Sequence, residues 1–187
     1  MASVICRARR ASWWLGCVVV VAAIGVQEVA AQESLAPGAT SRLRAADKKA
    51  AALLEAGKAR SATFRLLTDA IEQSDLVVYV EARQLTLPGQ LQFVSATPGG
   101  RYLRVSVRLM GVDNELLPWL AHELWHAVEI AGAPEVRDRA SLLRFYEQIG
   151  GGFRSGGTVE METVKAQETQ ATVLNELRTG GLRAALR

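Results

Sequence analysis

The two histidines of this 187-residue chain stand four positions apart, in the run His122-Glu123-Leu124-Trp125-His126. Residues at i and i+4 share one face of a helix, with Cβ atoms about 5–6 Å apart. The spacing asks for an unbroken helix, and no Pro or Gly interrupts Trp119 to Ala131. The flanks are apolar: Trp119, Leu120 and Ala121 come before the pair, and Ala127, Val128 and Ile130 after it. Such a helix belongs in a core, and the polar trio on it then needs partners. Two imidazoles so placed can share one Zn2+ at about 2.0–2.1 Å each. Glu123 would lie beside the metal's open position, where it can take a proton from bound water. The competing reading is a solvated helical face with two unrelated histidines.

Cysteine narrows the choice of ligands. Cys6 and Cys17 both fall in residues 1–31, which read as an export signal. Arg7, Arg9 and Arg10 make a basic start, and Trp13 to Val26 an apolar core too short for a comfortable membrane span. Val29-Ala30-Ala31 supplies small residues at a cleavage point before Gln32. The expected location is periplasmic or secreted, with an uncleaved anchor as the alternative and the only expected contact with a membrane. Arg9-Arg10 has poor flanks for a twin-arginine signal, and Trp14-Leu15-Gly16 is a poor lipobox before Cys17. A mature chain without cysteine has no disulfide scaffold and no thiolate-bound zinc. His and carboxylate ligands remain.

Removing three Arg and one Glu with residues 1–31 lowers the net charge from +3 to +1. No basic footprint for nucleic acid is left. Residues 32–41 read as a mobile leader, and 42–187 as a single domain long enough for a real core.

Along that domain, Arg42 to Arg60 is rich in Ala, Leu, Lys and Glu and reads as a helix. Ser61 can cap a second helix running to about Gln73, with Phe64, Leu67 and Ile71 at helical spacing. Leu76 to Val80 and Gln90 to Ser95 read as strands, Thr97 to Gly100 as a turn, and Arg101 to Leu109 as an alternating strand. Short connections favour antiparallel pairing among them. Pro118 is tolerable in a first turn, which puts the start of the motif helix near Asn114 to Leu117. Val136 to Ile149 reads as another helix and Gly150 to Gly157 as a glycine-rich connector. Thr158 to Arg178 reads as the last helix, closed by Gly180 and Gly181. The fold class is α/β (α+β), a small antiparallel or mixed sheet packed on helices that include the motif helix.

A catalytic zinc usually has three protein ligands, and with no third His one must be a carboxylate. Glu129 follows His126 by three residues but lies about 10 Å along the axis from His122. A role orienting His126, or pairing an Arg near the site, suits it better. Glu162 heads a mostly apolar stripe of Ala166, Gln170, Val173 and Leu177 and is expected to point inward, whereas Glu160 and Glu168 lie off the stripe. Glu162 is therefore the candidate third ligand, beside the alternative of an inward Glu paired with an Arg.

These residues resemble the gluzincin metallopeptidases, in which His122-Glu123 and His126 are joined by a Glu from a later helix. Residues Gly111 to Arg178 look more closely like small exported bacterial proteins with a minimal zincin core. Those carry a H-E-L-x-H-A-x-E stretch, here His122 to Glu129, and a later Glu-Thr-x-x-Ala, here Glu162 to Ala166. The likeness extends weakly back to Ser61 to Arg65. It implies a zinc-dependent hydrolase fold and no particular substrate. Trp125 stands where many relatives carry a polar residue, which brings an indole to the packing or the cleft wall. No separate substrate-binding domain is visible.

The expected function is metal-assisted hydrolysis of a peptide bond, with His122, His126 and Glu162 on Zn2+ and Glu123 as general base. Tyr146 and Arg154 are candidate oxyanion donors. The resemblance implies an edge strand that binds extended substrate by main-chain pairing, with Arg101 to Leu109 as the candidate. The alternatives are a zinc-stabilised binding module without turnover, and an exported helical protein whose motif is accidental.

Overall fold

The computed structural model describes residues 41–155 and 158–185, and residues Ala39–Arg187 form one compact unit. The expected export signal at 1–31, and the leader up to residue 40, lie outside the described residues. Among the described residues no helix is long and apolar enough to cross a membrane.

The architecture is α+β. In chain order come β1 (Leu43–Ala45), α1 (Lys48–Arg60), α2 (Ala62–Glu72), β2 (Leu76–Arg83), β3 (Gly89–Thr97) and β4 (Gly100–Arg108). They are followed by α3 (Asp113–Ala131), α4 (Arg139–Gln148), β5 (Gly152–Ser155), β6 (Thr158–Met161) and α5 (Val164–Ala185). Four strands form a mixed sheet in the order β1-β2-β4-β3, and β5 and β6 form a separate hairpin. β1 and β4 both run parallel to β2, and only β3 is antiparallel to its neighbour. β1 reaches β2 through α1 and α2, as a parallel pair requires.

Several sequence expectations change here. The helix expected from Arg42 starts at Lys48, because Asp47 caps it by accepting from the Ala50 amide at 2.8 Å. Leu43–Ala45 is a strand instead. The other Asp47 oxygen accepts from the Ala82 amide at 2.8 Å and ties this helix end to the sheet. Within the four-stranded sheet antiparallel pairing holds for β3 and β4 alone, since β4 inserts between β2 and β3. The outer strand is therefore β3, and the Arg101 to Leu109 segment expected at the edge is central. The motif helix starts at Asp113 and places Pro118 in its second turn, beyond the expected range. Burial of Leu116, Leu117, Pro118 and Leu120 in the core offsets the missing backbone donor there.

At the other end, the expected helix from Val136 is shortened to Arg139, where Asp138 and Ser141 form a reciprocal cap. The Gly150 to Gly157 connector contributes a strand of the β5–β6 hairpin. Thr158–Met161 is strand, and the last helix begins at Val164 and runs through Gly180 and Gly181 to Ala185. Thr163 stops it from beginning earlier: its hydroxyl accepts from the Ala166 amide at 3.2 Å. The core lies between the sheet and α1, α2, α3 and α5, with Leu103, Val105 and Val107 of β4 facing Leu120, Leu124 and Ala127 of α3 within one buried cluster.

Candidate metal centre

α3 is buried on most of its faces because it packs against the sheet, α2 and α5 together. His122 and His126 are each only 4% exposed. Their Nε2 atoms face each other at 3.2 Å, with the rings nearly perpendicular. Two nitrogens on one tetrahedral ion at about 2.0–2.1 Å would stand about 3.3 Å apart. Glu162 Oε1 lies 3.4 Å from His122 Nε2, and one ligand atom from each of the three residues falls within 4.8 Å of the others. The donor set of two imidazoles and a carboxylate suits a divalent zinc-like ion, and the spacings fit one.

Glu162 reaches this point from an extended segment rather than from a helix. It lies between β6 and α5, its amide donating to the Gly151 carbonyl at 2.7 Å. A Cβ on Gly151 would meet Thr163 Cγ2 at 2.7 Å and the Glu162 carbonyl at 3.0 Å, so glycine there lets the segment pack down. The stripe below is buried as expected at Ala166, Val173 and Leu177. Glu168 is exposed and pairs with Lys165, and the Glu160 side chain lies outside the described residues.

Glu129 sits behind His126, away from the convergent nitrogens. Its carboxylate accepts from His126 Nδ1, Trp125 Nε1 and the Thr163 hydroxyl, each at 2.8 Å, and from the Tyr146 hydroxyl at 3.2 Å. Burial pushes its pKa up, but the bonds from His126, Thr163 and Trp125 outweigh that and hold it below the usual carboxylate range. An ionised carboxylate can only accept, so it takes the Nδ1–H bond of His126 and turns the Nε2 edge of the ring toward the site. Trp125 thus anchors Glu129 from behind and is not part of the cavity wall. Thr163 connects the two halves of the centre, bonding Glu129 and capping α5 one residue after Glu162.

Tyr146 is fully buried, and its hydroxyl is directed at Glu129 and, at 3.5 Å, at the His126 carbonyl. Burial first, and the Glu129 charge second, push its pKa well above the ordinary phenol value. It is a support for His126, not a donor facing the cavity, which corrects the oxyanion expectation. The Arg154 side chain lies outside the described residues.

His122 is held differently. Burial, and then its neighbour His126, lower its pKa to about 4, so it is neutral at pH 7. Gln170 of α5 comes close enough to favour the protonated ring, without forming a well-aligned bond to Nδ1. Glu123 is 7% exposed, and burial, reinforced by the nearby Glu162 charge and opposed by His126, raises its carboxyl pKa to about 7.

A cavity of about 330 Å3 opens on this group. His122, Glu123, His126 and Glu162 line one side, and Leu87 to Leu91, at the start of β3, line another. Trp119 and Met161 complete the described lining. A Cβ at Gly89 would lie 2.7 Å from Glu123 Oε1, so glycine is what lets β3 approach the carboxylate. No role for Gly89 or Gly151 is legible in the sequence, and Thr163 enters it only as a place in the Glu-Thr-x-x-Ala stretch, without a role for its hydroxyl. Thr163 alone left a usable signal, as a capping hydroxyl before a helical run. No family model, curated protein or solved structure matches this chain.

Proposed function

We propose that this chain is a zinc-dependent hydrolase acting on peptide bonds, of gluzincin-like type. One observation carries the reading: two imidazole nitrogens and a carboxylate oxygen converge within 4.8 Å, beside the buried Glu123, on the wall of an open cavity. His122, His126 and Glu162 would hold the ion, and Glu129 orients His126 for it. A divalent cation so held supplies a Lewis acid toward water and a carbonyl oxygen. Glu123 takes a proton from the attacking water as its oxygen bonds to the carbonyl carbon. As the C–N bond breaks, Glu123 returns that proton to the leaving amine. Its raised pKa, near 7, suits a group that must both accept and donate. The free edge of β3 takes the place first expected for Arg101 to Leu109, as the strand against which an extended peptide pairs.

A zinc-holding binding module is the second reading. It is favoured by one feature: no Arg, Lys or Tyr side chain is among the described residues lining the cavity, so no cationic or phenolic oxyanion donor stands there. Elemental analysis and the Glu123→Gln variant separate the possibilities. The hydrolase is expected to hold about one zinc per chain, and Glu123→Gln to keep it while turnover of a mixed peptide pool falls by at least about 100-fold. Equal turnover in both proteins would remove Glu123 as the base. Absence of metal from both, with no uptake on titration, would remove the metal reading altogether.

A further inference from the structure

The groove does not end at the metal centre. Gln90, Leu91 and Met161 line the cavity described above and also a second one of about 450 Å3. That cavity follows β3 through Phe93 and Val94 and is closed by Leu142 and Leu143 of α4. Two cations lie on it, Arg104 of β4 and Arg139 at the first turn of α4. Among the described residues neither guanidinium has a hydrogen bond or ion pair, and no Asp or Glu lines the cavity. The contrast within the same sheet is Arg101, whose guanidinium is fully bonded inside the fold. Arg104 and Arg139 have no such structural employment.

The register gives the spacing. Glu123 packs against Gly89, and Arg104 lies opposite Gln92 in the β3–β4 ladder. Three residues of strand separate the two positions, roughly 10 Å at about 3.4 Å per residue. A peptide laid on the free edge of β3 advances at the same rise, so its positions map onto those of the strand. β3 stays regular from Gly89 to Phe93, and the irregularity between Phe93 and Ser95 ends the flat stretch at Val94, the far end of the second cavity along the strand.

We propose that Arg104 and Arg139 form a subsite for an acidic side chain, so that the preferred peptides carry Asp or Glu about three residues from the bond that is cut. The inference rests on the peptide-hydrolase reading and adds the substrate class to it. The apolar wall of Leu142 and Leu143 excludes water from one side of that carboxylate and strengthens its pairing with the guanidiniums. Two partly exposed charge pairs together correspond to roughly a tenfold preference over the neutral residue.

The test uses the full chain loaded with zinc, in the Glu123→Gln background so that peptides bind uncut. A single Glu is walked through an otherwise neutral labelled peptide, with matching Gln and Lys series, and affinity is read by fluorescence anisotropy. In one register the Glu peptide should bind roughly tenfold tighter than its Gln counterpart and the Lys peptide weakest, with the preference shrinking as salt is raised. The double charge reversal Arg104→Glu with Arg139→Glu, checked for folding by circular dichroism, should invert the order of Glu and Lys. If that variant does not fold, single Arg104→Gln and Arg139→Gln variants should each reduce the preference. No register preferring Glu, a preference that survives these changes, or no binding by any peptide would each overturn the subsite. Zinc content and Glu123-dependent turnover of the neutral peptide judge the hydrolase reading separately, so the two can fail independently.

Discussion

Two buried polar clusters lie along the motif helix, one at its C-terminal end and one near its middle, and they are built on opposite rules. At its C-terminal end Arg101, 0% exposed, is saturated. Its Nε and Nη2 hold the two Asp75 oxygens at 2.8 and 2.7 Å. Nη1 donates to the carbonyls of Ile130, Ala133 and Val136, and Nη2 also to that of Ala131. All five guanidinium donors have acceptors, and the last carbonyls of α3, which a helix leaves unpaired, are satisfied by a cation where the macrodipole favours one. Near the middle of the same helix, His122 and His126 bring one ligand atom each to within 4.8 Å of a Glu162 carboxylate oxygen, so that three ligand atoms gather about one point. Closure marks a cluster that holds the fold. Convergence on one point marks a cluster arranged around something else.

The largest effect should come from opening the closed cluster. Arg101→Met removes the donor that Asp75 and the Ala131 and Val136 carbonyls share, while the Ile130 and Ala133 carbonyls keep a backbone amide, and is expected to cost about 3–5 kcal/mol in chemical denaturation. A loss below about 1 kcal/mol would mean the cluster is not structural.

The open cluster should be insensitive to such bonds but sensitive to metal. Saturating zinc is expected to raise unfolding stability by about 2.7–4.1 kcal/mol at 100 to 1,000 times its dissociation constant, and a chelator to remove that gain. His126→Ala and Glu162→Ala should both abolish the zinc response while the response to denaturant stays cooperative. If Glu129→Ala removes it and Glu162→Ala keeps it, the assignment of the third ligand is wrong.

The next effect is smaller and tests the support behind His126. Glu129→Ala and Thr163→Val should each weaken zinc affinity by roughly 10–100-fold and leave the ion bound at saturation. Chelator competition measures this. Thr163→Ser, which keeps the hydroxyl bonded to Glu129, should restore most of the affinity; a purely steric role for Thr163 would not be rescued that way.

How far the sequence revealed this follows from the range of each signal. The histidine spacing is a within-helix relation, and helical geometry alone brings the two rings together. Ser61 as the cap of α2 is equally local, its hydroxyl accepting from the Phe64 amide at 2.9 Å. Glu162 was reached through the apolar stripe of α5, although it lies two residues before that helix; the inward phase of the stripe extends into the capping segment. Strand order was not legible, because β4 pairs with β2 across an intervening β3 and no local pattern records such an insertion. β1 was hidden in an alanine-rich run whose composition suits helix; it is held extended by its parallel ladder with β2 and by the bonds of the Ser41 hydroxyl and the Arg42 and Leu43 amides to Glu72, all partners distant in sequence. Gly89 was invisible for a related reason, since its meaning depends on Glu123, which approaches from a distant part of the chain.

The smallest effect separates the two parts of the closed cluster. Hydrogen bonding to Arg101 holds the Asp75 carboxyl below its ordinary value of 3.8, against a burial effect that raises it and with further help from the Arg101 and Arg137 charges. A carboxylate depressed in the folded state contributes stability that is present above its unfolded pKa and is lost as pH falls through the lower, folded value. The window therefore lies below about pH 4. The Asp75 side chain is half exposed, and solvent screening keeps the contribution under about 1 kcal/mol. Asp75→Asn keeps an oxygen to accept one guanidinium bond but removes the charge. It should flatten that part of the stability–pH curve while costing much less at neutral pH than Arg101→Met, because the carbonyls at the end of α3 keep their donor. An Asp75→Asn loss as large as that of Arg101→Met would place the strength of the cluster in the ion pair. The expected inequality places it in the bonds between Arg101 and the helix end, which are the part of the cluster buried from water.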